Sequence, residues 1–487
     1  MKKTLKIALY VLLALVLIVL AYVIYVFAAY YRVEDMQKLG VAHCDAASAA
    51  PMEGAPQTGV TYRVSSANVG FGAYSADYSF FMDGGKESRA RSRQAVDENM
   101  RGEVSLVKDL SPDFALFQEV DIYGTRSWHI GEDAYLDDVM ENSEFNKVFA
   151  QNYDSPYLFY PLINPHGANQ SGILTLSRHP ISSAVRRSLP IETGLMKLVD
   201  LDRCYSVSRV PMENGRELVL YNLHLSAYTS DGTIATEQLQ MLCADMLAEY
   251  ENGNYCVAGG DFNKDLLGNS AEIFGVAGGE NDTWAQPIPE GTIPDGLSLV
   301  VPFDVDHPVA TCRTANEPYN EETTFRVTVD GFLVSDNVEA VSADVVDAGY
   351  RYSDHNPIYM DFIFRISHDT RLFQQRGSQE GFQVLQEALL AFHTAEAGAG
   401  TAGADLGLLF GAGQQHMVGE EVADVRVAGI ALAQAGRVGE HAAHLGLDVG
   451  HGVTQEDAVV VALGHLAAVQ AGALGRGGEH GLRLGEE

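Results

Sequence analysis

Apolar and polar positions alternate in short blocks through the middle of the chain. Tyr62–Ala67, Phe114–Gln118, Gly172–Leu176, Glu217–Leu223, Tyr255–Ala258, Phe325–Val334 and Asn356–Phe364 are rich in β-branched and aromatic residues between turn formers, and predict strands. Two longer blocks have helical spacing. Arg89–Leu110 places Ala95, Val96, Met100, Val104 and Val107 on one face, and Ser111-Pro112-Asp113 stops it; Ala235–Tyr250 is a second amphipathic helix. Strands alternating with helices, without an internal repeat, predict a layered α/β architecture.

Both ends depart from this pattern. Lys2, Lys3 and Lys6 precede an uncharged apolar run from Ile7 to Ala29, which as a helix would rise about 35 Å and cross a bilayer. Basic residues before the run, with Glu34 and Asp35 after it, put the amino end in the cytoplasm and the rest outside. A cleaved signal is the alternative, since Val26 and Ala28 have the small-residue spacing of a cleavage site. Both readings export the chain. Residues 1–32 are thus expected to form a stub and anchor, and 33–59, rich in Ala, Gly, Pro and Ser, a linker. A domain is expected over 60–366. From 367 to 487 there is no Lys, Asn, Tyr, Pro, Cys or Trp, while Gly, Ala and His crowd together; the expectation is an appendage that was never selected as a domain. Its histidines are too widely spaced for a metal tract, with only His441 and His444 close to ligand spacing.

The 487 residues are 46% hydrophobic and 20% charged, which excludes a disordered, collagenous or polytopic membrane protein. A net charge of −33 disfavours non-specific nucleic-acid binding, although a local basic patch or a metal ion would still admit a phosphate. Five scattered cysteines make neither a disulfide framework nor a zinc site.

Candidate chemistry lies where polar residues follow apolar runs. These places are Ser66-Ala67-Asn68, Gln118-Glu119, Asn222-Leu223-His224, Asp261-Phe262-Asn263, Val329-Asp330-Gly331-Phe332 and Ser353-Asp354-His355. Taken singly each is weak. A Glu after a strand is usually solvated, a His between leucines is usually a core residue, and Asp354-His355 ahead of Pro357 is an ordinary turn. Asp261 and Asn263, two apart, would share a face in an extended segment. Together, Glu119, Asp261 and Asp354 with the amide oxygens of Asn68 and Asn263 make an all-oxygen set, suited to Mg²⁺ or Mn²⁺ rather than zinc. His224 and His355 remain for proton transfer and phosphate contact, and the whole set is what hydrolysis of a phosphate ester needs.

In these blocks and their order, Thr61 to Phe364 resembles the endonuclease/exonuclease/phosphatase superfamily, which includes deoxyribonuclease I, abasic-site endonucleases, bacterial sphingomyelinases and inositol polyphosphate 5-phosphatases. The resemblance implies a four-layer α/β sandwich, two packed mixed β-sheets flanked by helices, preceded here by one transmembrane helix. It implies that Asn68, Glu119 and Asp354 bind the metal and that Asp261 and Asn263 orient or activate the attacking water. His224 would stabilise the pentacovalent state, and His355, held by Asp330, would act as base or phosphate ligand. Ser171-Gly172 matches the family's central Ser-Gly strand. Gln170 stands where abasic-site endonucleases have a phosphate-contacting Tyr, and the Asp330 block lacks its usual aromatic neighbour. Arg89, Arg91, Arg93 and Arg101 spread around a helix, so no DNA-gripping loop is evident. Arg126 and His129 are nearer candidates for substrate phosphate. The expectation is a membrane-anchored, extracytoplasmic, Mg²⁺- or Mn²⁺-dependent phosphodiesterase acting on a phospholipid head group or small phosphodiester. An extracytoplasmic nuclease is the alternative, and a non-catalytic binding module on the same fold is the rival from another class. No protein partner is indicated.

Overall fold

Two parallel strand pairs, each joined by a helix, organise the protein in the computed structural model, which describes residues 2–43, 54–140, 145–191, 202–227, 233–275 and 284–365. Thr61–Asn68 runs parallel to Phe114–Gly124, and helix Arg93–Asp109 makes the crossover. Glu217–His224 runs parallel to Tyr255–Asp261, with helix Thr233–Glu251 between them. Parallel neighbours need such a crossover, and its helix must cover one face of the sheet. The first helix starts where Ser92 Oγ accepts the Ala95 N–H at 3.1 Å, and Ser111, with φ of 51°, turns the chain beyond its end.

Antiparallel strands extend each pair to a seven-stranded sheet. The first sheet runs Val338–Val345, Ile358–Phe364, Thr61–Asn68, Phe114–Gly124, Asn169–Ser177, Asn146–Asp154, Val41–His43. The second runs Gln37–Leu39, Ser183–Ser188, Cys204–Pro211, Glu217–His224, Tyr255–Asp261, Asp330–Ser335, Leu297–Val300. Face to face, Val64, Leu116 and Met360 of the first sheet share a core with Leu220, Val257 and Phe332 of the second. Val96, Met100 and Val104 of one helix close the outer face of the first sheet on Ala115 and Phe117, and Leu239, Leu242 and Met246 of the other close the second on Val219 and Tyr221. This is the four-layer sandwich of two mixed sheets.

Three expectations change in detail. The strand foreseen over Phe325–Val334 is broken into Arg326–Val327 and Asp330–Ser335, because the Thr311 hydroxyl takes the N–H groups of Val329 and Asp330 at 2.9 and 3.1 Å. The 33–59 segment is not a tether throughout. Gln37–Leu39 pairs with Ser183–Ser188 and Val41–His43 with Asn146–Asp154, so one short segment edges both sheets. Asp202 fixes its start, bonding Arg32 Nε and the Val33 N–H, each at 2.8 Å. Three-residue strands are too short to show a period. Third, Asn263 lies beyond its strand with φ of 49°, so it does not share a strand face with Asp261.

Among the described residues one helix, Lys2–Ala29, is long and apolar enough to cross a membrane. Cys204, Cys243, Cys256 and Cys312 are buried and free. The appendage expected over 367–487, with His441 and His444, lies outside the described residues.

Candidate active site

The carboxyl ends of both parallel pairs deliver polar residues to one place. Asn68, His224 and Asp261 each end a strand, His224 and Asp261 are register partners, and Asp330 opens the strand opposite Asp261. The Asn68 amide Nδ2 donates to Asp261 Oδ2 at 3.1 Å and Glu119 Oε1 at 3.3 Å, and lies 3.5 Å from His355 Nε2. His224 Nε2 is 3.5 Å from Asp261 Oδ2 and 3.9 Å from Glu119 Oε1. His355 Nε2 is 3.7 Å from Asp261 Oδ2, and its Nδ1 meets Asp330 Oδ2 at 2.7 Å. Residues scattered over nearly 300 positions therefore share one cluster.

Local backbone features aim these groups. Between Phe117 and Val120 the pairing with Asn169–Ser177 slips, so Gln118 and Glu119 together face Ile173. Such a bulge re-aims side chains. Gln118 turns inward and donates to Asn222 Oδ1 at 2.8 Å, while Asn222 Nδ2 donates back to the carbonyls of Phe117 and Leu174. Glu119, at φ of 58°, turns outward with a quarter of its side chain exposed. Under Asp261, Gly260 has φ of 143°, and a Cβ there would stand 2.1 Å from the Leu223 carbonyl oxygen, so only glycine fits. The Ser353 hydroxyl donates to the Asn68 carbonyl at 2.7 Å and accepts the His355 N–H at 3.2 Å, tying the Asp354-His355 turn to the first strand. Asn263 N–H donates to Asp261 Oδ1 and its side-chain amide to the Leu225 carbonyl, both at 2.8 Å.

Burial and charge set the protonation states. Burial, then the charge of Asp330, pushes Asp261 up to about 7. Burial also pushes Asp354 up to about 7, with Glu119 adding repulsion against the opposing pull of His355. Burial, then the charges of Arg203 and His355, holds His224 well below the usual imidazole range. Burial acts the same way on His355, but the charge of Asp330 and its hydrogen bond outweigh it and hold that ring well above the range. The two imidazoles are thus shifted in opposite directions.

A metal ion fits this cluster. Two buried carboxyls are held near neutrality by desolvation and crowding, a cost that a bound cation would relieve, and Asp330 Oδ1 is buried without a hydrogen-bond partner. Asp261, Asp330 and His355 have ligand atoms within 4.8 Å of one another. This buried group could hold a metal ion; Asn68 Oδ1, by contrast, already accepts the Gly70 N–H at 3.1 Å.

The model of the Endonuclease/Exonuclease/phosphatase family matches residues 65–355, more than half of the chain. The chain belongs to this family. No curated protein matches by sequence. Among solved structures it is similar to an endonuclease/exonuclease/phosphatase from Beutenbergia cavernae, at 16% identity and a TM-score of 0.44, covering 63% of this chain and 72% of that one. It is also similar to ANGEL2, a 2′,3′-cyclic phosphatase, at 15% identity, TM-score 0.42 and coverage of 63% and 96%. The human Nocturnin catalytic domain matches at 16% identity, TM-score 0.39 and coverage of 62% and 93%. The fold and family are those of phosphoesterases.

Within this endonuclease/exonuclease/phosphatase fold, Arg126 is near enough for its charge to act on His224 and to feel that of Glu119. Arg126 is buried and committed to Asp121, with Nη2 2.7 Å from Oδ1 and the guanidinium 4.0 Å from the Phe71 ring centre. His129 is exposed and stacks on Tyr123 at 4.6 Å. Gln170 pairs in register with Tyr123 and donates to Asp154 Oδ2 at 3.4 Å. Sequence reasoning missed the Gln118–Asn222 amide bridge, although both residues stand inside the motifs quoted for Glu119 and His224. It also missed Arg203, a buried cation whose charge acts on His224 and Asp261.

Proposed function

We propose that the protein is a divalent-metal-dependent phosphodiesterase whose domain works outside the cytoplasmic membrane on a phospholipid head group or small phosphodiester. The observation that carries this reading is the convergence of Glu119, Asp261 and His355 on the Asn68 amide, with His224 Nε2 3.5 Å from Asp261 and 3.9 Å from Glu119. Asn68, Glu119 and Asp354 hold the ion, and Mg²⁺ or Mn²⁺ bound there supplies charge neutralisation at the phosphoryl oxygens. Asp261, poised near 7, takes the proton of the attacking water, and Asn263 fixes its second oxygen through the 2.8 Å backbone bond. His355, cationic and braced by Asp330, offers Nε2–H to the phosphoryl group. Neutral His224 contributes Nε2 as a hydrogen-bonding group where charge builds on the pentacovalent phosphorus.

The lipid preference rests on the apolar helix Lys2–Ala29, on the short connection from it to the domain, and on an acidic chain that gains nothing from polyanions. The full-length chain assayed with Mg²⁺ and with EDTA against phospholipid vesicles, a chromogenic phosphodiester, RNA and plasmid DNA tests the proposal. Metal-dependent turnover of the phosphodiester and of lipid is expected. Turnover confined to nucleic acid would replace the substrate, and no turnover of any ester with Mg²⁺ or Mn²⁺ would leave a binding module.

A further inference from the structure

The loop Tyr157–Ile163 leaves large apolar side chains open to solvent. Leu162 and Ile163 are 87% and 85% exposed, and Phe159 and Tyr160 are also exposed. From Ser155 to Gln170 the chain carries no Asp, Glu, Lys or Arg, in a protein of net charge −33. An apolar patch of this kind on an otherwise charged surface marks an interaction site.

Its neighbour says what covers it. Tyr22 and Tyr25 of the N-terminal helix bond this loop: Tyr22 OH donates to the Tyr157 carbonyl at 3.2 Å, and Tyr25 OH accepts the Tyr157 N–H at 3.0 Å. The rings of Tyr22 and Phe159 meet edge-on at 5.1 Å. Tyr22 stands seven residues before the helix end at Ala29, a rise of about 10 Å. The uncharged run exceeds a hydrocarbon core of about 30 Å by about 5 Å, so Tyr25, about 6 Å before the helix end, falls at the edge of the core and Tyr22 just inside it. No slack separates helix from domain, because Arg32 and Val33 are already bound to Asp202.

The loop is also tied to the end of the sandwich that holds the site. Strand Phe114–Gly124 passes Glu119 and ends beside Asn169, where the loop re-enters the sheet. His166 Nδ1 contacts the Ser88 carbonyl at 2.8 Å, and the Phe81 ring lies 5.6 Å from Tyr160.

We propose that Tyr157–Ile163 inserts into the membrane–water interface beside the N-terminal helix and holds the site-bearing end of the domain against the lipid surface. This rests on the reading of the helix as a membrane span and deepens the lipid assignment. Two attachment points, one covalent and one by insertion, remove the rotation that a single helix would leave free.

The test uses the full-length chain in phosphatidylcholine–phosphatidylglycerol vesicles, with Cys44→Ser and a fluorophore at Ile163→Cys. The control is Val341→Cys, on the strand at the opposite edge of the first sheet. Quenching by lipids that carry a shallow spin label is expected to be at least about twofold stronger at position 163 than at 341. Equal, water-like emission at both positions would overturn the proposal, whatever the enzyme's activity. In a second arm, Leu162→Asp with Ile163→Asp is expected to lower vesicle-lipid turnover about fivefold or more and leave a soluble chromogenic phosphodiester unaffected. Unchanged vesicle turnover would overturn the claim that the loop orients the site. Strong quenching with no lipid turnover by the parent chain would support the insertion and remove the substrate assignment alone.

Discussion

The two parallel strand pairs are built alike and end differently. In Thr61–Asn68 and Phe114–Gly124, Asn68 faces Gln118; in Glu217–His224 and Tyr255–Asp261, His224 faces Asp261 at the same place. The second pair stays in register and buries its acid. In the first, a bulge turns the amide of Gln118 inward and puts the acid one residue later, at Glu119, partly in solvent. One insertion thus separates the two acids: a partly exposed carboxylate that accepts from Asn68, which we propose meets the cation, and a desolvated one held near neutrality.

If this division of labour holds, the two acids fail differently. Asp261→Asn and His224→Ala are each expected to lower kcat by about 10²-fold or more at every metal concentration. Glu119→Gln is expected to raise the Mg²⁺ concentration for half-maximal activity about tenfold and to recover rate at high Mg²⁺. A metal titration of steady-state rates separates the two behaviours. Rescue of Asp261→Asn by metal would merge the two halves into one metal site.

Gly260→Ala attacks the register of the second pair. With the Leu223 carbonyl 2.1 Å from a Cβ, the strand must shift, and a loss of about 3 kcal/mol is expected in urea unfolding. A smaller effect is expected across the two sheets. Gln118→Leu leaves Asn222 Oδ1 buried without its 2.8 Å donor and is expected to cost about 2 kcal/mol. An equal loss in Gln118→Leu and in Gln118→Leu with Asn222→Leu would show that the bridge is not the cause.

Much of this was readable in the sequence, for particular reasons. The central apolar strands and both crossover helices declare themselves, and the catalytic candidates stand directly after those runs, but Asn146–Asp154, Ser183–Ser188, Cys204–Pro211 and Val338–Val345, with more polar residues among their apolar ones, do not. The edge strands do not declare themselves. Gln37–Leu39 and Val41–His43 are three residues each and take their conformation from pairing partners about 150 and 105 positions away. The bulge at Glu119 is equally silent, because Phe-Gln-Glu-Val reads as an unbroken strand until its neighbour is known. Arg126 is silent for a related reason: the sequence places it near Glu119, but its pairing with Asp121, five residues before it, shows only in the fold. Charged residues near a site are assigned by their nearest counter-charge in space.

The smallest predicted effect concerns the crowding in the first half. Asp354 has a pKa near 7 in the folded protein against an ordinary 3.8. Between those values the folded chain binds the extra proton, so stability is highest below 3.8 and falls steadily as pH rises from 3.8 to about 7. A shift of this size corresponds to at most about 4 kcal/mol, and relaxation around a strained carboxylate leaves about 1 kcal/mol in a measured difference. Asp354→Asn has no proton to lose. In metal-free protein it is therefore expected to be more stable than the parent at pH 8 by about that amount, with the difference narrowing on acidification and vanishing below 3.8, where both states of the parent hold the proton. Saturating Mg²⁺ is expected to reverse the order at pH 8, because the cation stabilises the parent and not the variant. Thermal melts at pH 8 and at acid pH, with and without Mg²⁺, measure all four states. A parent chain more stable than Asp354→Asn at pH 8 with EDTA would show that Asp354 is held by a partner in the fold and is not kept there for a cation.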